Sequence, residues 1–261
     1  MVKVKDIYSF IKDLADENLA ESWDNVGLIL GDENQKVEKI LVCLDVTTDV
    51  VKEAKEKSID LIISHHPLIF KGIRNINFND FKGKILKELI KNDISVISAH
   101  TNLDSAKFGL NDYLSKLLEL QETKVLVPNK QVEDTGLGRI GNLSESMSQE
   151  EFIEYAKEKL GLKFVKLVKA NDINIKSVAI LGGSGASFIQ TLPEVDIYLT
   201  GDIGYHDAVD AIEMNQNLLD IGHFAEKASK ALFKSYLEKL PTSNSYEVVI
   251  AESERDPFKI Y

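Results

Sequence analysis

The sequence predicts an α/β protein with two related lobes, each a mainly parallel sheet flanked by helices. Two observations predict this class. Short, wholly apolar runs alternate with stretches of helical spacing, which is typical of strands buried between helices. The order of these elements in the first half of the chain returns in the second half, which indicates an internal duplication of one α/β unit.

The first half of the chain begins with an amphipathic pattern that predicts a helix over residues 4–16. The elements predicted next are a strand at 26–31, a strand at 38–45, a helix at 49–57, a strand at 60–64, a helix at 82–92, a strand at 94–99 and a helix at 109–120. Thr47 or Thr48 can cap the helix at 49–57. Because strand, helix and strand follow one another, neighbouring strands are predicted to be parallel.

A change of composition marks the predicted boundary between the lobes. Pro128 and the glycine-rich stretch 134–141 lie there, so the N-terminal lobe is predicted to cover residues 1–130 and the C-terminal lobe residues 131–261. Ser148 and Glu151 form a capping box for a helix at 149–160. The later elements are a strand at 177–181, a turn and helix over 183–191, a strand at 195–199, a helix at 207–214, a strand at 218–221, a helix at 226–239 and a strand at 246–251. That last strand can pair with either sheet.

Bulk composition excludes several classes of protein. The chain has 261 residues, and its net charge of −11 opposes binding to nucleic acid or to an anionic membrane surface. Neither is therefore expected as a partner. Cys43 is the single cysteine, which rules out an intrachain disulfide framework, and it lies in an apolar run as a small core residue. No apolar run approaches the ~18 residues of a membrane span, and the start of the chain lacks a signal-peptide core, so a cytoplasmic location is expected.

The most informative stretch, residues 60–70, is an apolar run that ends in His65 and His66 and continues with Pro67. Neighbouring side chains of a regular strand point to opposite faces, so two adjacent histidines could not share a target. Pro67 holds His66 extended and cannot continue the ladder, so both rings are predicted at the carboxyl end of a central strand. We interpret them as one histidine for each of two adjacent metal ions. The alternative is one buried, hydrogen-bonded histidine and one exposed histidine.

Every histidine of the chain comes just after a predicted strand, and carboxylates accompany them. The histidines are His65, His66, His100, His206 and His223, and the acids are Asp104, Asp202, Asp207 and Glu226. Imidazole and carboxylate ligands suit Zn, Mn, Fe or Ni.

With the lobes facing each other, the metal site is predicted between them. Its predicted ligands are His65, His66, Asp104, His223 and Glu226. They would bind two divalent metal ions per chain, because a carboxylate can bridge two cations about 3.5–4 Å apart. The alternative is a set of hydrogen-bonded His/Asp pairs that cap the ends of strands.

His100 and His206 are the predicted catalytic residues. Either could orient a ligand or carry a proton near the metal site. A purely structural role is the alternative for each.

Two further features have a structural and a functional interpretation. The glycine-rich stretch 181–187 lies at a strand-to-helix junction, where backbone amides could hold a phosphate, but it lacks the nucleotide-binding fingerprints and is interpreted as a tight turn that allows close packing. Trp23, the only tryptophan, is interpreted as an anchor for its loop.

With these residues assembled, the chain resembles the Nif-three-like dinuclear metal-centre family, whose bacterial members are often labelled GTP cyclohydrolase I type 2 homologues. The resemblance is carried in order by WDNVG at 23–27, SHHPLIF at 64–70, AHTNLD at 99–104, GRIG at 138–141, GD at 201–202, YHDA at 205–208 and GH at 222–223. It covers nearly the whole chain.

The resemblance implies two related α/β lobes, a paired metal site and a ring-shaped homohexamer. It places the metal ligands at His65, His66, Asp104, His223 and the acid that follows. The family usually has its last glutamate four residues after the histidine, but here that position is Lys227, and Glu226 comes three residues after His223. Either spacing can bring both side chains to one face at the start of a helix.

Two functions follow as hypotheses. The first is a metal-dependent hydrolase that acts on a nucleotide-like or phosphate-bearing small molecule, with GTP ring opening suggested by the family label. The second is a non-catalytic metal-binding protein, such as a carrier or a scaffold. An enzyme needs an open coordination position and a substrate cleft, whereas a carrier needs exchangeable metal.

Overall fold

The computed structural model, which describes residues 1–259, is a mixed α/β fold with two sheets flanked by helices, as predicted. The elements in chain order are α1 Val4–Leu14, β1 Gly27–Leu30, β2 Lys39–Cys43, α2 Thr48–Glu56, β3 Leu61–Ser64, α3 Phe81–Lys91, β4 Ser95–Ser98, α4 Thr101–Ser105, α5 Leu110–Leu117, β5 Gln121–Pro128, β6 Gly136–Met147, α6 Gln149–Leu160, β7 Lys166–Val168, β8 Ile175–Ser184, β9 Ile197–Gly201, α7 Tyr205–Glu213, β10 Leu218–Asp220, α8 Ala228–Leu237 and β11 Glu247–Ile250. Four short 3₁₀ turns complete the list, at Glu17–Leu19, Ala186–Thr191, His223–Lys227 and Ser243–Ser245.

The chain divides into two compact units, each held together by its own internal contacts. The first unit contains residues 1–103 and the segment from Ser229 onward, and the second contains residues 104–228. The sequence-based boundary between residues 130 and 131 followed a change of composition, whereas this division follows contacts. The two therefore fall at different places, because the chain returns to the first unit after Ala228.

The sheet of the first unit has the strand order β1-β4-β3-β2-β11. β2, β3 and β4 are parallel, β11 pairs in parallel with β2, and β1 pairs antiparallel with β4. Every residue of β3 and β4 is buried, as expected for central strands covered on both faces. One core cluster of this unit includes Leu41, Cys43, Ile62, Leu86 and Val96. Cys43 is thus a core residue, as predicted, and burial raises the pKa of its thiol.

The sheet of the second unit has the strand order β5-β6-β8-β9-β10-β7. β8, β9 and β10 are parallel, and β7 pairs antiparallel with β10. β5 and β6 form an antiparallel pair, and β6 continues the sheet antiparallel to β8. A core cluster of this unit includes Leu181, Ile189, Tyr198 and Leu218.

The same topology occurs in both units, which supports the predicted duplication. In the first unit an antiparallel strand, β1, lies next to the last of three parallel strands, in the order β1-β4-β3-β2. In the second unit β7 takes the same place, in the order β7-β10-β9-β8. A helix precedes the antiparallel strand in each case, α1 before β1 and α6 before β7.

Local signals account for the helix whose bounds were predicted without error. The Ser148 hydroxyl accepts a hydrogen bond from the Glu151 amide at 3.3 Å, and the Glu151 carboxylate accepts one from the Ser148 amide at 2.9 Å. The helix between these caps, Gln149–Leu160, ends at Gly161 in the left-handed conformation. The turn and helix predicted over 183–191 correspond to the end of β8 and the 3₁₀ turn Ala186–Thr191.

The hairpin of β5 and β6 and the short strand β7 were absent from the sequence prediction. The glycines of β6, where the boundary between the lobes was predicted from the sequence, are needed for close pairing of backbones. A Cβ added at Gly141 would lie 2.8 Å from the Gln121 oxygen, and Gly138 has a φ of +65°. Among residues 1–259, no helix combines the length and apolarity that crossing a bilayer requires.

Candidate metal centre

The chain places His65 and His66 at the carboxyl end of β3, as predicted. The His65 amide donates to the Cys43 backbone oxygen at 3.2 Å and the His66 amide to the Leu44 backbone oxygen at 2.9 Å. Pairing with the segment at the end of β2 therefore continues beyond β3. His65 is fully buried and His66 is half-buried. Their ring centroids are nevertheless only 5.2 Å apart. Both rings therefore lie at one place, as the sequence interpretation required.

Hydrogen bonds fix one nitrogen of each ring. The Nδ1 of His65 lies 2.9 Å from the Ala99 carbonyl oxygen. A carbonyl can only accept, so this Nδ1 carries the hydrogen, and the lone pair of neutral His65 is on Nε2. The Nδ1 of His66 lies 2.9 Å from Asp45 Oδ1. This pattern is the usual one for metal-binding histidines, because an acceptor on one nitrogen orients the ring and makes the other nitrogen the ligand.

A third ring, that of His100, joins the pair. It follows β4, and its centroid is 5.3 Å from that of His65 and 5.5 Å from that of His66. The three residues offer ring nitrogens that all lie within 4.8 Å of one another. The sequence predicted that His100 orients a ligand or carries a proton, with a structural role as the alternative, and the structure places it in a group that could hold a metal ion.

Asp24 positions His100, and sequence reasoning gave it no role. Its buried carboxylate lies 2.9 Å from the Nδ1 of His100 and accepts two hydrogen bonds from Thr101, from the amide at 3.1 Å and the hydroxyl at 2.6 Å. Burial favours the neutral acid, but these hydrogen bonds outweigh it and lower the pKa of Asp24 to about 2. Burial also lowers the pKa of His100, and Asp24 only partly offsets that. A neutral imidazole is the form that binds a metal.

The second unit contributes its own donors, among them Asp104 and Glu226. Both are buried, and they offer carboxylate oxygens within 4.8 Å of each other. Asn111, also fully buried, joins the segments that carry them. Its side chain donates to the backbone carbonyl oxygen of Asp104 at 3.1 Å and accepts from the Gly182 amide at 2.9 Å, next to the turn against which Glu226 packs. No spacing in the sequence indicated this role for Asn111.

The 3₁₀ turn His223–Lys227 explains the shifted spacing of the last acid. A 3₁₀ helix has three residues per turn, so side chains at i and i+3 lie on the same face. His223 Nε2 is accordingly 3.1 Å from Glu226 Oε2. Lys227, at the position where the family usually has its glutamate, donates to the Gly161 oxygen at 2.6 Å. The local helix type thus brings Glu226 to the face of His223.

His223 has the same kind of anchor as the other rings. Its Nδ1 lies 2.6 Å from Asp202 Oδ2, and Asp202 follows β9 in the left-handed conformation, with a φ of +55°. Asp202 was one of the carboxylates that the sequence placed beside the histidines. Asp207, another of them, accepts from the Gly204 amide at 3.0 Å at the start of α7, so its observed role is helix capping.

The glycine-rich stretch leaves room for Glu226. A Cβ added at Gly183, whose φ is +67°, would lie 2.5 Å from Glu226 Oε1. The interpretation as a tight turn that allows close packing is therefore confirmed.

His206 lies exposed in the first turn of α7. Its ring contacts that of Tyr205, with centroids 5.4 Å apart. The groups of donors that could hold a metal ion, within the part of the chain that the structure describes, do not include it. Its catalytic role stays a prediction.

These donors fit a metal ion by their chemistry. Imidazoles with one nitrogen anchored and buried carboxylates are the ligands that Zn, Mn, Fe and Ni accept. The first unit supplies a group of three imidazoles, and the second supplies Glu226, whose carboxylate lies close to a donor atom of His223 and to one of Asp104.

Comparison with known proteins identifies relatives over the whole chain. The family model of Duf34/NIF3 (NGG1p interacting factor 3) matches residues 2–257. A Clostridium perfringens protein named GTP cyclohydrolase 1 type 2 homolog is 38% identical over 262 residues, covering 99% of each chain. A Campylobacter jejuni protein of the same name is 35% identical over 260 residues, covering all of both chains.

Solved structures show the same fold. The crystal structure of a Bacillus cereus protein related to NIF3 matches with a TM-score of 0.91 and 28% identity, over 100% of this chain and 99% of that one.

Proposed function

The chain belongs to the Duf34/NIF3 family, and on that premise we propose that it is a dinuclear metal-binding protein that acts as a metal-dependent hydrolase. The proposed substrate is a nucleotide or another phosphate-bearing small molecule. Ring opening of GTP is the first reaction to test, because the relatives are named GTP cyclohydrolase 1 type 2 homolog.

The anchoring of the histidine Nδ1 atoms is the observation that carries this proposal. His65, His66, His100 and His223 each have Nδ1 on a carbonyl or carboxylate oxygen, at 2.6–2.9 Å. Pairs that merely cap strand ends do not need the same nitrogen anchored every time. Metal ligation through Nε2 accounts for it, because an acceptor at Nδ1 orients the ring and leaves Nε2 to face an ion.

We propose that five side chains bind the two divalent ions. The proposed ligands are His65, His66, Asp104, His223 and Glu226. When bound, such ions supply Lewis acidity that polarises a phosphoryl or carbonyl oxygen and makes water a better nucleophile. Glu226 and Asp104 supply the negative charge that two neighbouring cations require.

Proton transfer falls to the remaining histidines. The Nε2 of His100 can bind an ion or take a proton, since its Nδ1 is held by Asp24. His206 is exposed at the start of α7 and is proposed to exchange protons with solvent.

A metal carrier is the second candidate, and one observation favours it. The side chain of His223 is 38% exposed, although it is one of the proposed ligands. An exposed ligand lets metal exchange, which a carrier needs.

Metal content and turnover of matched variants test the two candidates. Mass spectrometry would measure Zn, Mn, Fe and Ni on the protein as isolated. GTP, other nucleotides and phosphodiesters would then be assayed with and without added Mn²⁺ or Zn²⁺. We expect His65→Ala to lose metal and turnover, and His206→Ala to keep its metal while turnover falls about 100-fold.

The outcomes separate the candidates. Turnover that survives His65→Ala eliminates the proposed hydrolase. Stoichiometric, exchangeable metal without turnover on any substrate supports the carrier.

We also propose that the protein assembles as a homohexamer. The family resemblance is the support for this assembly. The mass expected in sedimentation is six times the chain mass of 29.2 kDa.

A further inference from the structure

Trp23 is largely exposed beside the histidines of the first unit. Its exposed fraction is 57%, and that of Phe70 is 44%. The two rings contact each other edge to face, with centroids 5.6 Å apart. Each ring also lies 6.2 Å from the ring of His100. Two large aromatic surfaces therefore remain open to solvent next to a proposed metal-binding group.

The loop that carries Trp23 is held rigidly by its neighbours. Asp24 accepts three hydrogen bonds from His100 and Thr101, and the Glu21 amide donates to the Thr101 hydroxyl at 2.9 Å. The Asn25 side chain donates to the Ile69 oxygen and so ties this loop to the residue before Phe70.

Loop anchoring, the role inferred for Trp23 from the sequence, is thus carried out by Asp24 and Asn25. Trp23 is left with most of its surface in water on a rigid support. Contiguous exposed apolar surface is typical of binding sites. A rigid surface also binds a ligand at a lower entropic cost, because its side chains are already ordered.

We propose that Trp23 and Phe70 form a stacking platform for the planar heteroaromatic ring of the substrate. This inference rests on the proposed function, since it names the class of substrate that the hydrolase takes. A heteroaromatic ring fits both parts of the surroundings: its face stacks on the indole, and its polar edge can meet the imidazole of His100. A purely aliphatic ligand would use only the apolar part.

The single tryptophan makes the platform directly observable. Trp23 is the only tryptophan, so all tryptophan fluorescence of the protein comes from this site, and a ring stacked on the indole is expected to quench it. We expect guanosine 5′-monophosphate to quench the emission saturably, and ribose 5-phosphate, which lacks the ring, to leave it unchanged. Calorimetry would measure the same binding in variants without the tryptophan.

Matched variants give the expected magnitudes. Alanine substitution of an aromatic residue that stacks on a base weakens binding about five- to 150-fold, and we expect this range for Trp23→Ala and Phe70→Ala. Phe78→Ala is the control, because Phe78 is 52% exposed and carries the Lys87 ammonium 5.2 Å over its ring. Phe78→Ala should bind guanosine 5′-monophosphate with the same affinity as the wild-type protein.

Two results would overturn the platform. They are equal quenching by ribose 5-phosphate and unchanged affinity of Trp23→Ala for guanosine 5′-monophosphate. If the second came with a change in sedimentation of Trp23→Ala, it would identify the surface as a contact between copies of the chain.

Metal content and hydrolysis, measured on the same samples, separate this inference from the proposed function. Ring binding without metal or turnover would support the platform and eliminate the hydrolase. Metal-dependent turnover of a substrate whose ring does not bind at Trp23 would support the hydrolase and eliminate the platform.

Discussion

Asp24 and Asp45 hold two histidine rings in very different surroundings. The Asp24 side chain is fully buried, whereas that of Asp45 is 52% exposed. A hydrogen bond to a buried carboxylate is weakened less by water than one at the surface. At the scale of single residues, Asp24 should therefore control its ring more strongly than Asp45 does.

Asp24→Asn tests this control. The amide oxygen can accept both hydrogen bonds from Thr101, which leaves the NH₂ group to face the Nδ1 of His100. His100 must then carry its hydrogen on Nε2, so it loses the lone pair with which it could take a proton or bind an ion in addition to the five proposed ligands. We expect metal affinity to fall about 10- to 100-fold in a competition titration with a chelator.

Asp45→Asn is the comparison. We expect it to lower metal affinity less than Asp24→Asn does, because Asp45 is exposed. An equal or larger loss for Asp45→Asn would show that burial does not set the strength of these contacts.

Two short elements of the second unit set the position of Glu226. The 3₁₀ turn His223–Lys227 brings it onto the face of His223, and the turn at Gly183 leaves space for its carboxylate. A glycine is required there for two reasons, a φ of +67° and the approach of Glu226. The position of the Glu226 carboxylate is thus determined by these two turns.

Gly183→Ala should displace the Glu226 carboxylate, because the added Cβ would lie 2.5 Å from Oε1. We expect a loss of stability of about 1 kcal/mol or more together with a loss of bound metal. Urea unfolding and the metal-to-protein ratio are the measurements.

Gly161→Ala is the matched control for the backbone strain. Gly161 has a φ of +61°, but the nearest atom to an added Cβ is Lys227 Nζ at 3.7 Å. It should lose similar stability and keep its metal. If both variants lose metal equally, strain and not the contact with Glu226 is the cause.

At the scale of the whole molecule, the chain closes the first unit by returning to it. β11 pairs with β2, the Glu254 carboxylate accepts from the amides of Leu44 and Asp45, and Glu53 accepts from those of Glu252 and Ser253. Glu53 on α2 therefore joins segments about 200 residues apart in sequence. Asp45, which holds the His66 ring, belongs to the same closure.

Glu53→Gln should make stability less dependent on pH. Burial disfavours the charged form of Glu53, but Lys57 and the two amides outweigh it and lower its pKa from 4.5 to about 2. A lowered pKa stabilises the fold fully above pH 4.5, and this stabilisation is lost as the pH falls towards 2. We expect it to amount to at most about 3 kcal/mol, measured by denaturant unfolding between pH 7 and pH 2.

Glu56→Gln is the control on the same helix. Its side chain is 66% exposed and lies 3.9 Å from Lys52, so the change in stability should be within about 0.5 kcal/mol. A similar pH profile for Glu53→Gln and the unchanged protein would contradict the role given to Glu53.

Local signals explain which parts of the fold could be predicted from the sequence. The helix at 149–160 was predicted with its observed bounds because its capping box and its final glycine act on their immediate neighbours. The hairpin of β5 and β6 was missed because its glycines were interpreted as the boundary between the lobes. Gly141 is needed because β5, about 20 residues earlier in the chain, approaches it closely.

The sequence by itself determined the alternation of strands and helices, the repeat of that order, and the position of His65, His66, His100 and His223 after strands. Periodicity and capping act within a few residues, so they can be read along the chain. Only the tertiary structure decided which nitrogen of each ring is held and which acid shares a face with His223. The acceptors come from residues as far as 76 positions away, and the face depends on the helix type, so neither follows from local spacing.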